Sequence, residues 1–157
     1  MNWSHKIYIF SIISVLSISA MAQDHLGQNK AIAVHYNANV EMPLNKIEYD
    51  QLEAVYGDQL DALILSKQQR LKDVKNILRN RVVIKQITNQ RDQKPCPMLS
   101  EVKLFDYYVG GLKRDMAFNP RSFNPLKYDF NFYSRQSFMY RVDGTDYFIL
   151  IKSQFDN

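Results

Sequence analysis

The residues able to do chemistry are few and scattered. Cys96, set between Pro95 and Pro97, is the only cysteine in the 157-residue chain. A thiol becomes a nucleophile when a neighbouring histidine or cation lowers its pKa. Neither His25 nor His35 is near Cys96 in sequence, and the third histidine is His5. No metal-ligand spacing links these histidines to one another or to carboxylates. There is no Gly-rich phosphate loop, no nucleophile elbow and no Ser–His–Asp order. Aspartates and glutamates are spread along the chain without a singled-out pair. The sequence therefore names no catalytic residue, no metal ligand and no cofactor.

Charge is the uneven property. Residues 23–66 hold seven acids and two bases, and residues 67–94 hold nine bases and two acids. The basic row is Lys67, Arg70, Lys72, Lys75, Arg79, Arg81, Lys85, Arg91 and Lys94. Such a row suits an anionic polymer or lipid headgroups. The simpler reading makes these the outer positions of one helix and one strand, paired with the acidic segment before them. Polyanion binding is accordingly not the favoured expectation.

The remaining candidate surface comes from the aromatic-rich C-terminal stretch. Asp143-Gly144 lies between two alternating runs, a pattern that predicts a two-residue type I′ hairpin turn. Three antiparallel strands follow from it: residues 128–133, 138–142 and 145–153, a meander. Phe138, Tyr140, Val142, Tyr147 and Ile149 then share the core face, and in the preferred register, with an odd-residue connection through residues 134–137, Tyr128, Phe130 and Phe132 join it while Asp129, Asn131 and Tyr133 face out. Met139, Arg141, Asp146, Phe148 and Leu150 share the outer one, with Arg141 opposite Asp146. Tyr133, Met139 and Phe148 form an apolar row there, with Leu150 diagonal to Met139. Tyr133, Met139, Arg141, Phe148 and Leu150 are the candidate binding residues, suited to a protein partner or a second copy of the chain; the simpler alternative is cover of this face from within the chain, by the Ser66 helix or residues 99–109. The aromatics from Phe118 onward also suggest a sugar-stacking platform for any rings that face outward.

The elements that must position this sheet lie upstream. Residues 31–36 alternate like a strand. Asp50-Gln51-Leu52-Glu53 has the form of a capping box, with Leu52, Val55 and Tyr56 on one face and Gly57 as the stop. Ser66 with Gln69 marks a second helix start, followed by a Leu71, Val74, Ile77 and Leu78 stripe and Asn80 as a left-handed stop. Residues 81–87 read as a strand, residues 99–109 fit helix or strand equally, and Asn119-Pro120 and Asn124-Pro125 favour turns or extended chain.

Residues 1–22 combine Lys6, an apolar run from Ile7 to Ala20 and Ala20-Met21-Ala22. That is the form of a secretory signal peptide cleaved before Gln23. The run is short and serine-diluted for a membrane span, so no transmembrane segment is expected in the mature chain. One domain over residues 23–157 follows, held without a disulfide. The segments LSKQQRLKDVKNILRNRVVIK, FNPLKYDFNFYSR and YRVDGTDYFILIKSQ resemble a group of small exported proteins of Bacteroidota-type Gram-negative bacteria with no assigned activity. The resemblance covers the chain from about Ser66 onward. It implies a periplasmic or extracellular setting and carries over no catalytic residue.

The expectation is an exported single-domain α+β protein. Its antiparallel sheet has four or five strands, including the C-terminal three-stranded meander, with two or three helices on one face. Its expected role is non-enzymatic binding or structure in the periplasm or outside the cell. The competing class is a small hydrolase acting on an envelope polymer or glycan, which Cys96 beside His35 or a clustered carboxylate pair would favour.

Overall fold

The computed structural model describes residues 34 and 36–155. The expected signal segment, His25, His35 and residues 31–33 lie outside them, while Val34 and Tyr36 stand in no regular element. Two α-helices, α1 (Lys46–Tyr56) and α2 (Gln68–Asn76), precede three strands, β1 (Val82–Gln86), β2 (Phe138–Arg141) and β3 (Tyr147–Ile151). The α+β class holds. The sheet has three strands among the described residues, fewer than the sequence suggests. No helix among them is long and apolar enough to cross a membrane.

The start of α1 is a capping box built one turn earlier than expected. The Asn45 side chain accepts from the Glu48 N–H at 2.9 Å, and the Glu48 carboxylate accepts from the Asn45 N–H at 2.9 Å. Gly57 ends the helix at φ +49, and a Cβ there would lie 3.1 Å from Val109 Cγ2. The glycine thus lets the chain around Val109 come close to the helix end. Val74 in α2 and Ile77 just beyond it are buried as the stripe predicts, while Leu71 and Leu78 are half-buried. Ser66 does not cap α2, because its hydroxyl donates back to the Ala62 carbonyl at 3.3 Å. Nor does Asn80 turn left-handed. The helical run continues as a π turn over Ile77–Arg81, and Asn80 exchanges amide hydrogen bonds with Asn39 at 2.8 and 3.0 Å.

The strands are antiparallel in the order β1-β3-β2. β3 is central, paired along both edges, and both its faces are covered, with Phe148, Ile149 and Ile151 all buried. Its second neighbour is β1, so the expected meander through residues 128–133 is corrected. The β2 edge that those residues would have paired is met instead by the Pro97 carbonyl, which accepts from the Arg141 N–H at 2.9 Å. Met98 adds a single parallel bridge to Arg141.

The hairpin register is shifted by two residues. Val142 N–H donates to the Tyr147 carbonyl at 2.9 Å, leaving a four-residue loop of Asp143, Gly144, Thr145 and Asp146. Gly144 has φ +65 while Asp143 does not enter the positive region, so the turn is not type I′. Thr145 closes the loop: its hydroxyl donates to the Val142 carbonyl at 2.9 Å and accepts from the Tyr147 N–H at 3.1 Å. A shift of two preserves the face of every side chain. Phe138, Tyr140, Val142, Tyr147 and Ile149 do join the core, together with Leu52 and Val55 of α1 and Val74 of α2.

Residues 128–133 form a ribbon of tight turns. Phe130 N–H donates to the Tyr128 carbonyl at 2.8 Å, and Phe132 N–H to the Phe130 carbonyl at 2.7 Å. These three-residue turns repeat every two residues, the period of a strand. The expected alternation therefore survives without the strand. Tyr128, Phe130 and Phe132 are buried, while Asp129, Asn131 and Tyr133 face out.

Candidate functional site

This ribbon, the end of α1 and one face of the α2 run line a two-lobed cleft. Its larger lobe has a volume of about 440 Å³ and its smaller about 260 Å³, and Tyr56, Val74, Phe105 and Tyr133 line both. Val74, Ile77, Leu126, Tyr128, Phe130 and Phe132 also line the larger lobe, together with Asp129 and Asn131. Leu63, Ile64, Arg70 and Tyr108 complete the smaller one.

Local structure explains each contribution. Tyr56 is the last residue of α1, and Gly57 behind it admits the chain that carries Phe105 and Tyr108. The rings then pack on one another, with Tyr56 and Tyr108 centroids 5.4 Å apart and Tyr56 and Phe105 centroids 6.1 Å apart. Arg70, Val74 and Ile77 recur at helical spacing and share a face of the α2 run. Val74 and Ile77 are buried, and Arg70 stands at the exposed end of the same face. Tyr133, 65% exposed, lines both lobes from the solvent side.

The electrostatics of the cleft are sparse. Burial pushes the Tyr56 phenol up to about 12, with Tyr133 and Tyr108 adding to the rise and Arg70 opposing it. Tyr56 is therefore neutral at physiological pH. Arg70 forms no ion pair among the described residues. Its Nη1 reaches only the Leu63 carbonyl, at 3.4 Å. Asp73, one turn along α2, is already engaged: it accepts from the Tyr36 hydroxyl, and from Gln69 Nε2 at 3.2 Å. Burial, then that bond to Asp73, lifts Tyr36 to about 12 as well. Behind Phe132, Arg81 is only 6% exposed. It donates to the Phe132 carbonyl and, at 3.0 and 3.1 Å, to the Lys152 carbonyl. Burial lowers its pKa.

The expected site residues divide between two places. Met139, Arg141, Phe148 and Leu150 share the outer sheet face, but Met139 pairs with Leu150 and Arg141 with Phe148. Arg141 therefore does not face Asp146. Its guanidinium lies over the Phe148 ring at 5.7 Å, and its Nε donates to the Thr145 carbonyl at 3.0 Å. Asp146 accepts instead from Gln86 Nε2, at 3.0 and 3.2 Å. Phe148 is 1% exposed and offers nothing to a partner. Tyr133 is absent from that face and belongs to the cleft.

The basic row is also divided. Lys72 pairs with Glu41 at 2.7 Å and Arg79 with Glu48 at 2.5 Å. Lys75 donates to the Met42 carbonyl at 2.9 Å. With Arg81 these four turn inward, so the nine bases do not form one outward polyanion face.

Sequence reasoning missed Tyr56, Arg70, Phe105, Tyr108, Asp129 and Asn131 as one constellation. The available signal was Arg70 on the Val74 and Ile77 face. What no spacing revealed is that residues 105–108 and 129–133 meet that face. Cys96 lines neither lobe. Its thiol is half-buried, and burial raises its pKa. No group of three or more His, Cys, Asp or Glu able to hold a metal occurs among the described residues. Comparison of the chain with protein-family models, curated proteins and solved structures finds no match.

Proposed function

We propose that this chain is an exported protein that binds a small ligand in the aromatic cleft without transforming it. The observation that carries the reading is the cleft itself: ring-lined, floored by core residues and open beside Tyr133. Cavities of this size with largely apolar walls and a few polar groups are the usual form of small-ligand sites. General acid–base or nucleophilic chemistry needs two groups within reach of one reacting atom. Asp129 is the one carboxylate that lines the cleft, and no histidine or cysteine among the described residues lines it. Export is supported by the pattern of residues 1–22. Either the periplasm or the extracellular space is then the working compartment.

Ligand-observed NMR with short amphiphiles and with oligosaccharides tests the reading. The expected result is binding by at least one set, lost in Tyr133→Ser. Because Tyr133 is exposed, that substitution leaves the fold standing. Binding by neither set, or binding indifferent to Tyr133→Ser, overturns it. Export is checked by intact mass: the exported species begins at Gln23, and one that retains residues 1–22 removes that part of the proposal.

A further inference from the structure

The two lobes differ in what they can accept. In the larger lobe Val74, Ile77, Leu126, Phe130 and Phe132 form an apolar group, while Asp129, Asn131 and the tyrosines supply the polar atoms. A sugar ring seated on the apolar group would lose water hydrogen bonds that only those few polar groups can replace. An alkyl or aromatic body loses nothing there and gains burial. The smaller lobe has one charged group, Arg70, with no carboxylate paired to it among the described residues. Neither nearby carboxylate lines the smaller lobe: Asp73 keeps its charge beside its neutral partners Tyr36 and Gln69, and Asp129 lines the larger lobe. Charge complementarity therefore calls for an anion at the smaller lobe, joined to an apolar body in the larger.

Resting on the binding reading above, we infer that the ligand is a small amphiphile with an anionic head, its body on the Val74–Ile77 floor and its head against Arg70. The cleft is then a carrier or sensing site for compounds such as long-chain carboxylates.

Calorimetric titration with dodecanoate and dodecyltrimethylammonium, below their micellar concentrations, tests it. The two share a tail and differ in the sign of the head. Dodecanoate is expected to bind the wild type at least about tenfold more tightly, and Arg70→Gln to weaken it about tenfold without weakening the ammonium compound. Lys94→Gln removes an exposed cation outside the cleft and is expected to change neither affinity. Equal affinities for the two heads, or no loss in Arg70→Gln, overturn the inference. So does an equal loss in Lys94→Gln, which signals general attraction to a basic chain. Oligosaccharide binding that depends on Tyr133, with no dodecanoate binding, overturns the amphiphile and leaves the binding reading intact. Failure of both ligand classes removes the two together.

Discussion

Arg70 and Arg79 belong to one helical run, yet their surroundings are opposite. Arg79 leaves the run toward residues 39–48. Its Nε and Nη2 donate to the two oxygens of Glu48 at 2.5 and 2.6 Å. The remaining donors reach the carbonyls of Asn39, Met42 and Pro43. The Arg79 and Glu48 side chains are 13% and 8% exposed. Glu48 also closes the capping box of α1, so one bidentate pair fastens the first helix to the second. Arg70 leaves the same run toward rings and aliphatic side chains, with one long bond and no carboxylate. A cation bonded on all sides holds the fold. A cation left unpaired beside an apolar cleft is available to a ligand.

The largest effect expected from this contrast is on stability. Arg79→Ala strands the Glu48 carboxylate in a mostly buried site and should cost about 3 kcal/mol in chemical denaturation. Arg70→Ala should stay within about 0.5 kcal/mol of the wild type. Equal losses in the two variants would show that Arg70 is structural and would break the comparison.

A smaller effect follows from pH. Arg79 holds the Glu48 carboxyl below its ordinary 4.5; burial opposes this and the Asn45 N–H assists it. A carboxyl with a depressed folded pKa binds its proton less readily folded than unfolded. The stability it contributes is full above its ordinary value and is lost as pH falls through the folded one. Denaturation series through the acid range should therefore show a steep decline in the wild type and a shallower one in Glu48→Gln. Asp143, held low chiefly by the Ser100 hydroxyl, keeps its share in both. Arg70→Gln should decline as the wild type does. An acid limb unchanged by Glu48→Gln would show that the pair does not set it.

The sequence was legible where one period decides an outcome. Alternation placed Tyr128, Phe130 and Phe132 inward whether the backbone made a strand or a ribbon of turns, because both repeat every two residues. It placed the faces of β2 and β3 correctly despite a register error of two. Pairing partners were not legible, because they depend on loop closure. Thr145 lengthens the hairpin loop with its own hydroxyl, and Pro97 takes the β2 edge from a distant position. The same limit hid the cleft. Tyr133 was singled out for a row with Met139 and Phe148, but its neighbours are Tyr56, Phe105 and Arg70. The acidic and basic segments do meet as their opposite signs suggest, through Lys72 with Glu41 and Arg79 with Glu48. Opposite charge alone could not single out Arg70 as the cation left over.

The smallest expected effect probes that leftover charge without any ligand. Burial raises the Tyr56 phenol from 10.0 to about 12, and Arg70 pulls in the other direction by favouring the phenolate. A phenol with a raised folded pKa holds its proton more tightly folded than unfolded. Its contribution to stability is full below pH 10.0 and is lost as pH rises toward 12. Phenolate absorbance in an alkaline titration should show Tyr36 and Tyr56 among the late-titrating groups, both at about 12. Tyr36→Phe and Tyr56→Phe should each remove one late step. In Arg70→Gln the Tyr56 step should move further up while the Tyr36 step stays, because Arg70 acts on the first and not on the second. Lys94→Gln should move neither. An Arg70→Gln curve that overlays the wild type would show that this charge does not reach the cleft, and the contrast with Arg79 would then describe two structural residues of unequal weight.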